Sequence, residues 1–205
     1  VTTESNINID GGVRFSYVHR NLHATYSLPH YTGAYHVYAD REQMLWLKTA
    51  GNLQCFDIAA NRYIENIDSV MLCRTGIDRH LSDLFVDSSG ELWAKYSDGF
   101  YNPATQTFLK PSLGSDIQDV EKAGDSLLMF YSTGEVEGFD ILTGQSTHIA
   151  AAYDDRNSYE GTSLTVACPN GNILQIRTGS GYGSILQSYC PSTRSWTEIM
   201  RVPYT

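Results

Sequence analysis

Short apolar runs alternate with polar turns along this chain, and one such arrangement occurs twice. In the first copy an apolar run containing Trp46 follows Asp40, and in the second a run containing Trp93 follows Asp87. The two aspartates and the two tryptophans are each 47 residues apart. A constant interval of this length indicates an internal repeat, which limits the architectures that the chain can adopt.

Each copy contains four short runs rich in Tyr, Phe, Val and Ile, and turns rich in Gly, Asp and Asn separate the runs. Runs of this kind are typical of antiparallel β-strands. Four of them in a repeat of roughly 40–45 residues predict one blade of a β-propeller. The second run is apolar on both faces, as expected for a strand between neighbouring blades. We therefore expect Trp46 and Trp93 to lie in the core between blades.

Two weaker copies follow, at 125–144 and at 170–196. The Leu-Trp pair of the strong copies is matched in them by Leu128-Met129 and by Leu174-Gln175. The spacing between copies varies while the strands do not, and variable length belongs in surface loops.

The turn between the first two runs holds Gly90 in the second copy, and a glycine takes a positive φ there without strain. The same position holds Asp125 and Gly171 in the weaker copies and Gln43 in the first copy. Gln43 therefore predicts either a different turn or a strained one.

The sequence as a whole predicts an all-β chain: a β-propeller fragment of about four four-stranded antiparallel blades plus a partial blade. The predicted blades of this single propeller domain span 34–67, 82–110, 117–150 and 163–201, after a partial blade and connection at 1–33. Propellers typically have 4–8 blades, so four are few for a closed ring. We expect a fragment of a larger protein, or a piece that closes with another chain or segment.

Charge and composition narrow the classes of partner. The 205 residues carry a formal net charge of −9, and the chain has no basic run. Nucleic-acid binding and adhesion to an anionic membrane surface are therefore not expected. No apolar stretch approaches the ~20 residues that a membrane-spanning helix needs, so no direct membrane insertion is expected either.

The cysteines do not suggest a metal site or a disulfide framework. Cys55, Cys73, Cys168 and Cys190 form no CxxC pair and no His/Cys cluster with metal spacing. Cys168 and Cys190 fall on the first and third strands of one predicted blade, too far apart to bridge. We expect small buried thiols, no metal and no cofactor.

The repeat resembles that of two-component regulator propellers. The second copy matches best, with Asp87-Ser-Ser-Gly90-Glu-Leu92-Trp93 followed by Tyr101-Asn-Pro-Ala-Thr105-Gln-Thr-Phe108. The resemblance covers about 34–200 and implies the periplasmic sensor region of a hybrid two-component histidine kinase of polysaccharide-degrading Gram-negative bacteria. It further implies an oligosaccharide ligand, and kinase activity only in a C-terminal part of the parent protein that this chain lacks.

Two segments hold residue types suited to contacting a sugar, because aromatic rings stack on sugar C–H faces and polar groups bind hydroxyls. The candidate ligand contacts are His30, Tyr31, Tyr153, Asp155, Arg156, Asn157 and Tyr159. The structural alternative is that His30 and Tyr31 lie in a connecting loop. No catalytic residues and no metal ligands are assigned; Asp40, Trp46, Asp87, Gly90 and Trp93 are assigned as structural residues of the repeat.

Propeller geometry predicts which loops share the rim that binds ligands. Connections between second and third strands lie on the same rim as connections between blades. Those connections are 49–52, 96–99, 133–135 and 178–183 within blades, and 68–81, 110–115 and 150–162 between them.

The sequence thus predicts a periplasmic, ligand-binding propeller segment of a signalling protein rather than an enzyme. Its expected partners are an oligosaccharide, the remaining blades of the parent chain and a second copy in a homodimer. The alternatives are a fragment of a propeller glycosidase or lyase, or a scaffold for protein interactions. A propeller can host all of these roles, so the fold alone does not choose among them.

Overall fold

The protein is described here from a computed structural model. It describes residues 4–7, 13–19, 22–28, 36–49, 52–113, 116–149, 163–179 and 183–203. The chain divides into two compact units, Val1–Gln106 and Thr107–Thr205.

The described residues form five antiparallel sheets in which strands follow one another in chain order. The first sheet has three strands: β1 (Glu4–Ile7), β2 (Val13–His19) and β3 (Leu22–Leu28). The second sheet has four: β4 (His36–Ala39), β5 (Met44–Thr49), β6 (Asn52–Asp57) and β7 (Arg62–Ile64). The third comprises β8 (Asp83–Val86), β9 (Leu92–Tyr96), β10 (Gly99–Asn102) and β11 (Thr107–Leu109).

The remaining two sheets also have four strands each. The fourth sheet comprises β12 (Ile117–Ala123), β13 (Ser126–Tyr131), β14 (Val136–Asp140) and β15 (Ser146–Ile149). The fifth comprises β16 (Ser163–Ala167), β17 (Ile173–Gly179), β18 (Gly183–Cys190) and β19 (Ser195–Val202). Four-stranded meanders of this kind confirm the predicted fold class, an all-β propeller fragment.

One helix, α1 (Ile67–Thr75), interrupts the connection that the sequence pattern assigned to a loop. It begins because the Asn66 side chain accepts a hydrogen bond from the Ser69 N–H at 3.0 Å. It ends at Gly76, whose φ of 71° lets its N–H bond to the Leu72 carbonyl. Met71 is buried on the helix, which therefore joins the core of the first unit.

The core of the first unit lies between the second and third sheets. Trp46, which is fully buried, packs in one cluster with Cys55 of its own sheet and with Leu84, Ala94 and Tyr96 of the next. The first strands β4 and β8 of these sheets also contact each other. Trp46 thus fills the space between two blades, and its burial contributes on the order of 3 kcal/mol.

The second unit repeats this arrangement with different side chains. Leu128, Phe130 and Val136 of the fourth sheet pack against Ile173 and Tyr189 of the fifth. The Phe130 and Tyr189 rings meet edge to face with centroids 6.4 Å apart. Edge-to-face contact is the favoured geometry for aromatic pairs, so it adds to the apolar burial.

The opposite face of the fifth sheet is open. Ile176, Leu186 and Met200 lie side by side on β17, β18 and β19 in the strand register. Ile176 is 40% exposed and Met200 52% exposed. A row of apolar side chains across three strands is unusual on a surface that faces only water.

The turn between the first two strands of the second and third sheets is built around an aspartate. Asp40 Oδ1 accepts hydrogen bonds from the Glu42 and Met44 N–H groups, and Oδ2 accepts one from Trp46 Nε1 at 2.7 Å. In the next sheet Asp87 bonds in the same way to the N–H groups two and four residues later and to Trp93 Nε1 at 3.1 Å. The aspartate therefore fixes both the turn and the buried indole.

Gln43 adopts the same turn as Gly90 at a positive φ. Of the two outcomes expected from the sequence, a different turn or a strained one, the strained turn is therefore confirmed. The Gln43 N–H bonds to the Asp40 carbonyl as the Gly90 N–H bonds to the Asp87 carbonyl. Gln43 has a φ of 62° and Gly90 a φ of 81°. A positive φ costs a residue with a Cβ roughly 1–2 kcal/mol, and the bonds of Asp40 hold Gln43 there.

The structure corrects the match that the sequence pattern assigned to Gln175. In the fifth sheet the Gly171 N–H bonds to the Cys168 carbonyl and the Cys168 N–H to the Asn172 carbonyl, which is the bonding of the Asp87 turn. Cys168 is therefore equivalent to Asp87. The residue six positions later is Leu174, and it replaces tryptophan.

Candidate ligand-binding groove

A groove of about 460 Å³ opens on the first unit, where four elements meet. They are the end of β5, the start of β6, the N-terminus of α1 and the start of β8. The residues that line it are Lys48, Asn52, Leu53, Glu65, Asn66, Ile67, Asp68, His80, Leu81, Ser82 and Asp83. The groove therefore lies beside the 49–52 hairpin and the 68–81 connection, two of the loops that propeller geometry assigned to the ligand rim.

Lys48 forms the inner wall of the groove. Its Nζ lies 2.8 Å from Asp83 Oδ1 and 3.8 Å from the centre of the Phe85 ring. Only 8% of the Lys48 side chain is exposed. A buried ammonium needs such partners because it has lost most of its water. The ion pair also ties the second sheet to the third at the rim.

Asp68 connects the helix to the segment that leads into β8. Its Oδ1 accepts a hydrogen bond from the Leu81 N–H at 2.9 Å, and its Oδ2 lies 2.8 Å from His80 Nδ1. The Leu81 N–H and then the His80 ring hold the pKa of Asp68 below its usual range. Asp68 is therefore an anion at neutral pH and keeps the outer wall in place.

Several groups on the groove are directed to solvent. Glu65, Asn66, His80 and Ser82 are exposed, while Leu81 beneath them is buried. Carboxylate, amide and hydroxyl groups above an apolar floor can bind a ligand that has many hydroxyls and a few apolar faces. The arrangement is chemically suited to recognition.

Glu137 is a buried carboxylate with a structural role. It accepts hydrogen bonds from the Ser112 N–H and hydroxyl and from the Tyr131 hydroxyl at 2.6 Å. Burial raises its pKa, but the Ser112 and Tyr131 hydrogen bonds outweigh burial and lower it. Glu137 is thus already occupied in holding the segment after β11 against β14.

None of the five structural repeat residues assigned from the sequence lines the groove. Asp40, Asp87 and Gly90 lie in the two aspartate turns, and Trp46 and Trp93 lie on the strands that follow, β5 and β9. The ligand contacts assigned from the sequence lie outside the described residues: His30, Tyr31, Tyr153, Asp155, Arg156, Asn157 and Tyr159. No lining residue of the groove was named individually from the sequence. The loops selected by propeller geometry contain four of the lining residues, Asn52, Asp68, His80 and Leu81, and the others lie directly beside those loops along the chain.

Comparison with solved structures supports the fold. The chain is similar to the extracellular domain of BT4673 from B. thetaiotaomicron, a proposed one-component system, with TM-score 0.54 and 14% identity. It is similar to the extracellular domain of BT3049 from the same organism, a proposed hybrid two-component system, with TM-score 0.53 and 16% identity. The β-propeller domain of Cps50 (Swd1) from Myceliophteria thermophila gives TM-score 0.51 and 11% identity.

These alignments cover 94%, 94% and 85% of this chain but only 26%, 29% and 58% of the respective matched chains. The chain thus spans less than a third of the length of the first two. No family model and no curated protein matches the sequence. At identities this low the likeness establishes a β-propeller fold.

Among the residues that the structure describes, no helix is long and apolar enough to cross a membrane. Within the same residues no group of three or more His, Cys, Asp and Glu side chains is placed to hold a metal ion.

All four cysteines are free, but only Cys55 is buried. Cys73 is exposed, and Cys168 and Cys190 are partly exposed. The expectation of buried thiols was therefore wrong for these three residues.

Proposed function

We propose that this chain is a ligand-binding propeller segment of an extracytoplasmic signalling protein of the hybrid two-component type, and that its ligand is an oligosaccharide. The observation that carries the proposal is the groove on the first unit. It lies where propellers present ligand-binding loops, and it combines hydroxyl-binding groups with an apolar floor. The similarity to extracellular domains of proposed one-component and hybrid two-component systems supports the same role.

The groove fits a saccharide by chemistry and by size. Carboxylate oxygens at Glu65 and Asp83 accept hydrogen bonds from sugar hydroxyls, and the Asn66 amide can donate one. Leu53 and Leu81 offer apolar surface for the C–H faces of a ring. A volume of about 460 Å³ lies within the range of small-molecule sites. The proposed role requires binding and no catalysis.

Signalling in this proposal follows from the way in which the groove joins two blades. Lys48 and Asp83 come from adjacent sheets, and Asp68 lies on the helix that connects them. A ligand bound across these elements stabilises the blade arrangement that binds it best. The membrane-proximal part of the parent protein would then read out the shifted population.

The open face of the fifth sheet supports a second part of the proposal, that further blades of the parent chain complete the ring. In the first unit the Trp46 face is covered by the next sheet. The equivalent face of the fifth sheet carries Leu174 with Ile176 and Met200 and is partly exposed. A following blade would cover it in the same manner, or a second copy would do so in a homodimer.

The test is a thermal-shift screen of the purified chain against plant, host and microbial oligosaccharides. Specific binding to the folded state must raise the melting temperature. We expect one glycan class to raise it without being hydrolysed. A class that is cleaved would instead favour the glycosidase or lyase alternative.

Two variants then locate the site. Ser82→Trp fills the groove from an exposed position and should abolish the shift while leaving the melting temperature of the free protein unchanged. Tyr153→Ala with Arg156→Ala tests the segment chosen from the sequence. A shift that survives Ser82→Trp but not the second variant would move the site away from the groove, and no shift with any glycan would contradict the proposal for this chain.

A further inference from the structure

We propose that the groove accepts neutral and amino-bearing saccharides and disfavours those that carry carboxylate or sulfate groups. This inference rests on the saccharide-binding role proposed above and adds the charge class of the ligand. It is based on two observations: carboxylates outnumber basic groups in the groove lining, and the basic groups are already bonded to those carboxylates.

Anionic side chains outnumber cationic ones in the groove. Of the described lining residues, Glu65, Asp68 and Asp83 carry carboxylates, and Lys48 and His80 are the basic ones. Even with His80 protonated, the carboxylates exceed the cations by one. A recessed surface lined by one sign of charge concentrates the opposite sign and repels its own.

The basic groups are also already engaged. Lys48 Nζ is bonded to Asp83 Oδ1 at 2.8 Å and covers the Phe85 ring, with 8% of its side chain exposed. His80 Nδ1 is bonded to Asp68 Oδ2 at 2.8 Å. To bind Lys48, a ligand carboxylate would have to displace Asp83 and leave that carboxylate without its partner. Such an exchange gains little.

The N-terminus of α1 is the remaining feature that favours an anion, because the first N–H groups of a helix point outward. Asn66 already accepts the hydrogen bond of the Ser69 N–H. Asp68, in the first turn, supplies a negative charge of its own. The N-terminus of α1 is therefore already occupied by groups of the chain itself, and the groove keeps its excess of negative charge.

Glu65 is the most exposed of the three carboxylate residues that line the groove. It is exposed on the groove, and no hydrogen bond or ion pair joins it to another described residue. A free carboxylate accepts hydrogen bonds from hydroxyls and forms a stronger, charge-assisted bond with an ammonium group. A ligand carboxylate or sulfate at the same place can do neither.

The experiment measures dissociation constants for matched sets of oligosaccharides by isothermal titration calorimetry with the complete chain. Galacto-oligosaccharides are compared with oligogalacturonides, cello-oligosaccharides with their oxidised uronic forms, and chito-oligosaccharides with chitosan oligosaccharides. In the galacto or cello set whose neutral member binds, we expect the anionic member to bind at least tenfold more weakly. If chito-oligosaccharides bind, we expect chitosan oligosaccharides to bind as tightly or more tightly.

Glu65→Gln removes one groove charge and keeps the shape of the side chain. Asp125→Asn is the matched control, because Asp125 is exposed in the turn before β13 and does not line the groove. We expect Glu65→Gln to reduce the discrimination against the anion severalfold and Asp125→Asn to leave it unchanged. High salt should also reduce the discrimination against the anionic oligosaccharide, since the Debye length falls from roughly 30 Å at 0.01 M to about 3 Å at 1 M.

The outcomes separate this inference from the proposed function. An anionic oligosaccharide that binds as tightly as its neutral counterpart, in a manner abolished by Ser82→Trp, would overturn the charge selectivity and leave saccharide binding in place. Equal effects of Glu65→Gln and Asp125→Asn would also overturn it. If no oligosaccharide of any charge binds, both the proposed function and this inference fail.

Discussion

The turn before β9 and the turn before β17 have the same backbone bonding but different side chains. In the first, Asp87 bonds to Trp93 Nε1 at 3.1 Å, and both residues are fully buried. In the second, Cys168 and Leu174 occupy those positions. Both partners have changed together, so neither is left as a buried polar group without a hydrogen bond. The comparison teaches that the repeat preserves hydrogen-bond satisfaction rather than residue identity.

The largest loss of stability is expected at Asp40, whose carboxylate accepts hydrogen bonds from several groups. Asp40 Oδ2 lies 2.7 Å from both Trp46 Nε1 and Arg74 Nη1, while its Oδ1 binds the turn. Asp40→Ala should lower the free energy of unfolding by about 3–5 kcal/mol, because it removes the acceptor of two turn N–H groups and of the buried Trp46 indole. It also leaves the buried Arg74 guanidinium with Glu42, an exposed carboxylate 2.9 Å away, as its remaining ion-pair partner. Urea unfolding measures the loss. Asp57→Ala, which removes an acceptor bonded to the Ala60 N–H, is the control and should cost about 1 kcal/mol.

A double-mutant cycle tests whether the aspartate and the tryptophan act as a unit. Asp87→Cys and Trp93→Leu transfer the side chains of the turn before β17 to the turn before β9. Each single substitution leaves a buried polar group without its hydrogen-bond partner. The double variant should therefore be more stable than additivity predicts by about 1–3 kcal/mol. Unfolding free energies of the four proteins give this coupling. Strict additivity would mean that the paired replacement has no energetic basis.

A smaller effect is expected at the positive φ of the first turn. Gln43→Gly should raise the free energy of unfolding by up to about 1 kcal/mol, because glycine adopts a φ of 62° without steric cost. Thermal unfolding is the measurement. The reverse change, Gly90→Gln, should destabilise, because a Cβ there would lie 3.3 Å from Arg41 Cγ and at positive φ. If Gln43→Gly were destabilising, the glutamine would have a role that its turn does not reveal.

The smallest expected change in stability is at Cys190, which lies in the turn that follows the third strand of its sheet. Asp57, Asn102 and Asp140 bond in the equivalent turns to N–H groups two or three residues later, and Cys190 occupies the fourth such position. Hydrogen bonds from the Ser192 and Thr193 side chains and backbones lower the pKa of Cys190 to about 7. Alkylation of the folded protein at Cys190 should therefore be half-maximal near pH 7, which mass spectrometry of the modified peptide can follow.

The sign of the associated stability change follows from the lowered pKa. The thiolate of Cys190 is favoured in the folded state, so its contribution is present above the ordinary thiol pKa and is lost as the pH falls through about 7. The protein should gain stability relative to Cys190→Ser as the pH rises from 7 to 9. Cys190→Asp restores the residue type of the other turns and should remove this pH dependence. A flat difference between wild type and Cys190→Ser would contradict the bonding assigned to the thiol.

Much of the fold was predictable because its signals are local. The apolar run around Trp46 and the aspartate before it predict a hairpin from neighbouring residues alone. Helix α1 was missed because its apolar stripe is a single turn long. Ile67, Val70 and Met71 stand at helical spacing and pack on the core, but the exposed apolar residues Leu72 and Cys73 that follow obscure the period. The match at Leu174 was displaced by one residue, although the alignment of Gly171 with Gly90 already places Leu174 at the position of Trp93. The turn bonding of Cys168 decides between the two matches.

The candidate site was predictable to the level of loops and no further. Propeller geometry selected two connections, 49–52 and 68–81, that lie beside the groove. The pairing of Lys48 with Asp83, however, joins residues 35 positions apart. Their separation depends on how two sheets pack, and composition contains no information on that distance. The aromatic and acidic segment at 153–160 was chosen by composition, and it stays a prediction.

By itself, the sequence determined the repeat, the strands and the buried tryptophans, because each depends on alternation and turn chemistry within about fifteen residues. Only the tertiary structure decided that α1 closes one side of a groove, that the Lys48 ammonium is engaged by Asp83 and that Glu65 beside it has no hydrogen-bond or ion-pair partner among the described residues. These facts arise where side chains of separate sheets and a helix converge. The energy of a charge there is set by its neighbours in space, not by its neighbours along the chain.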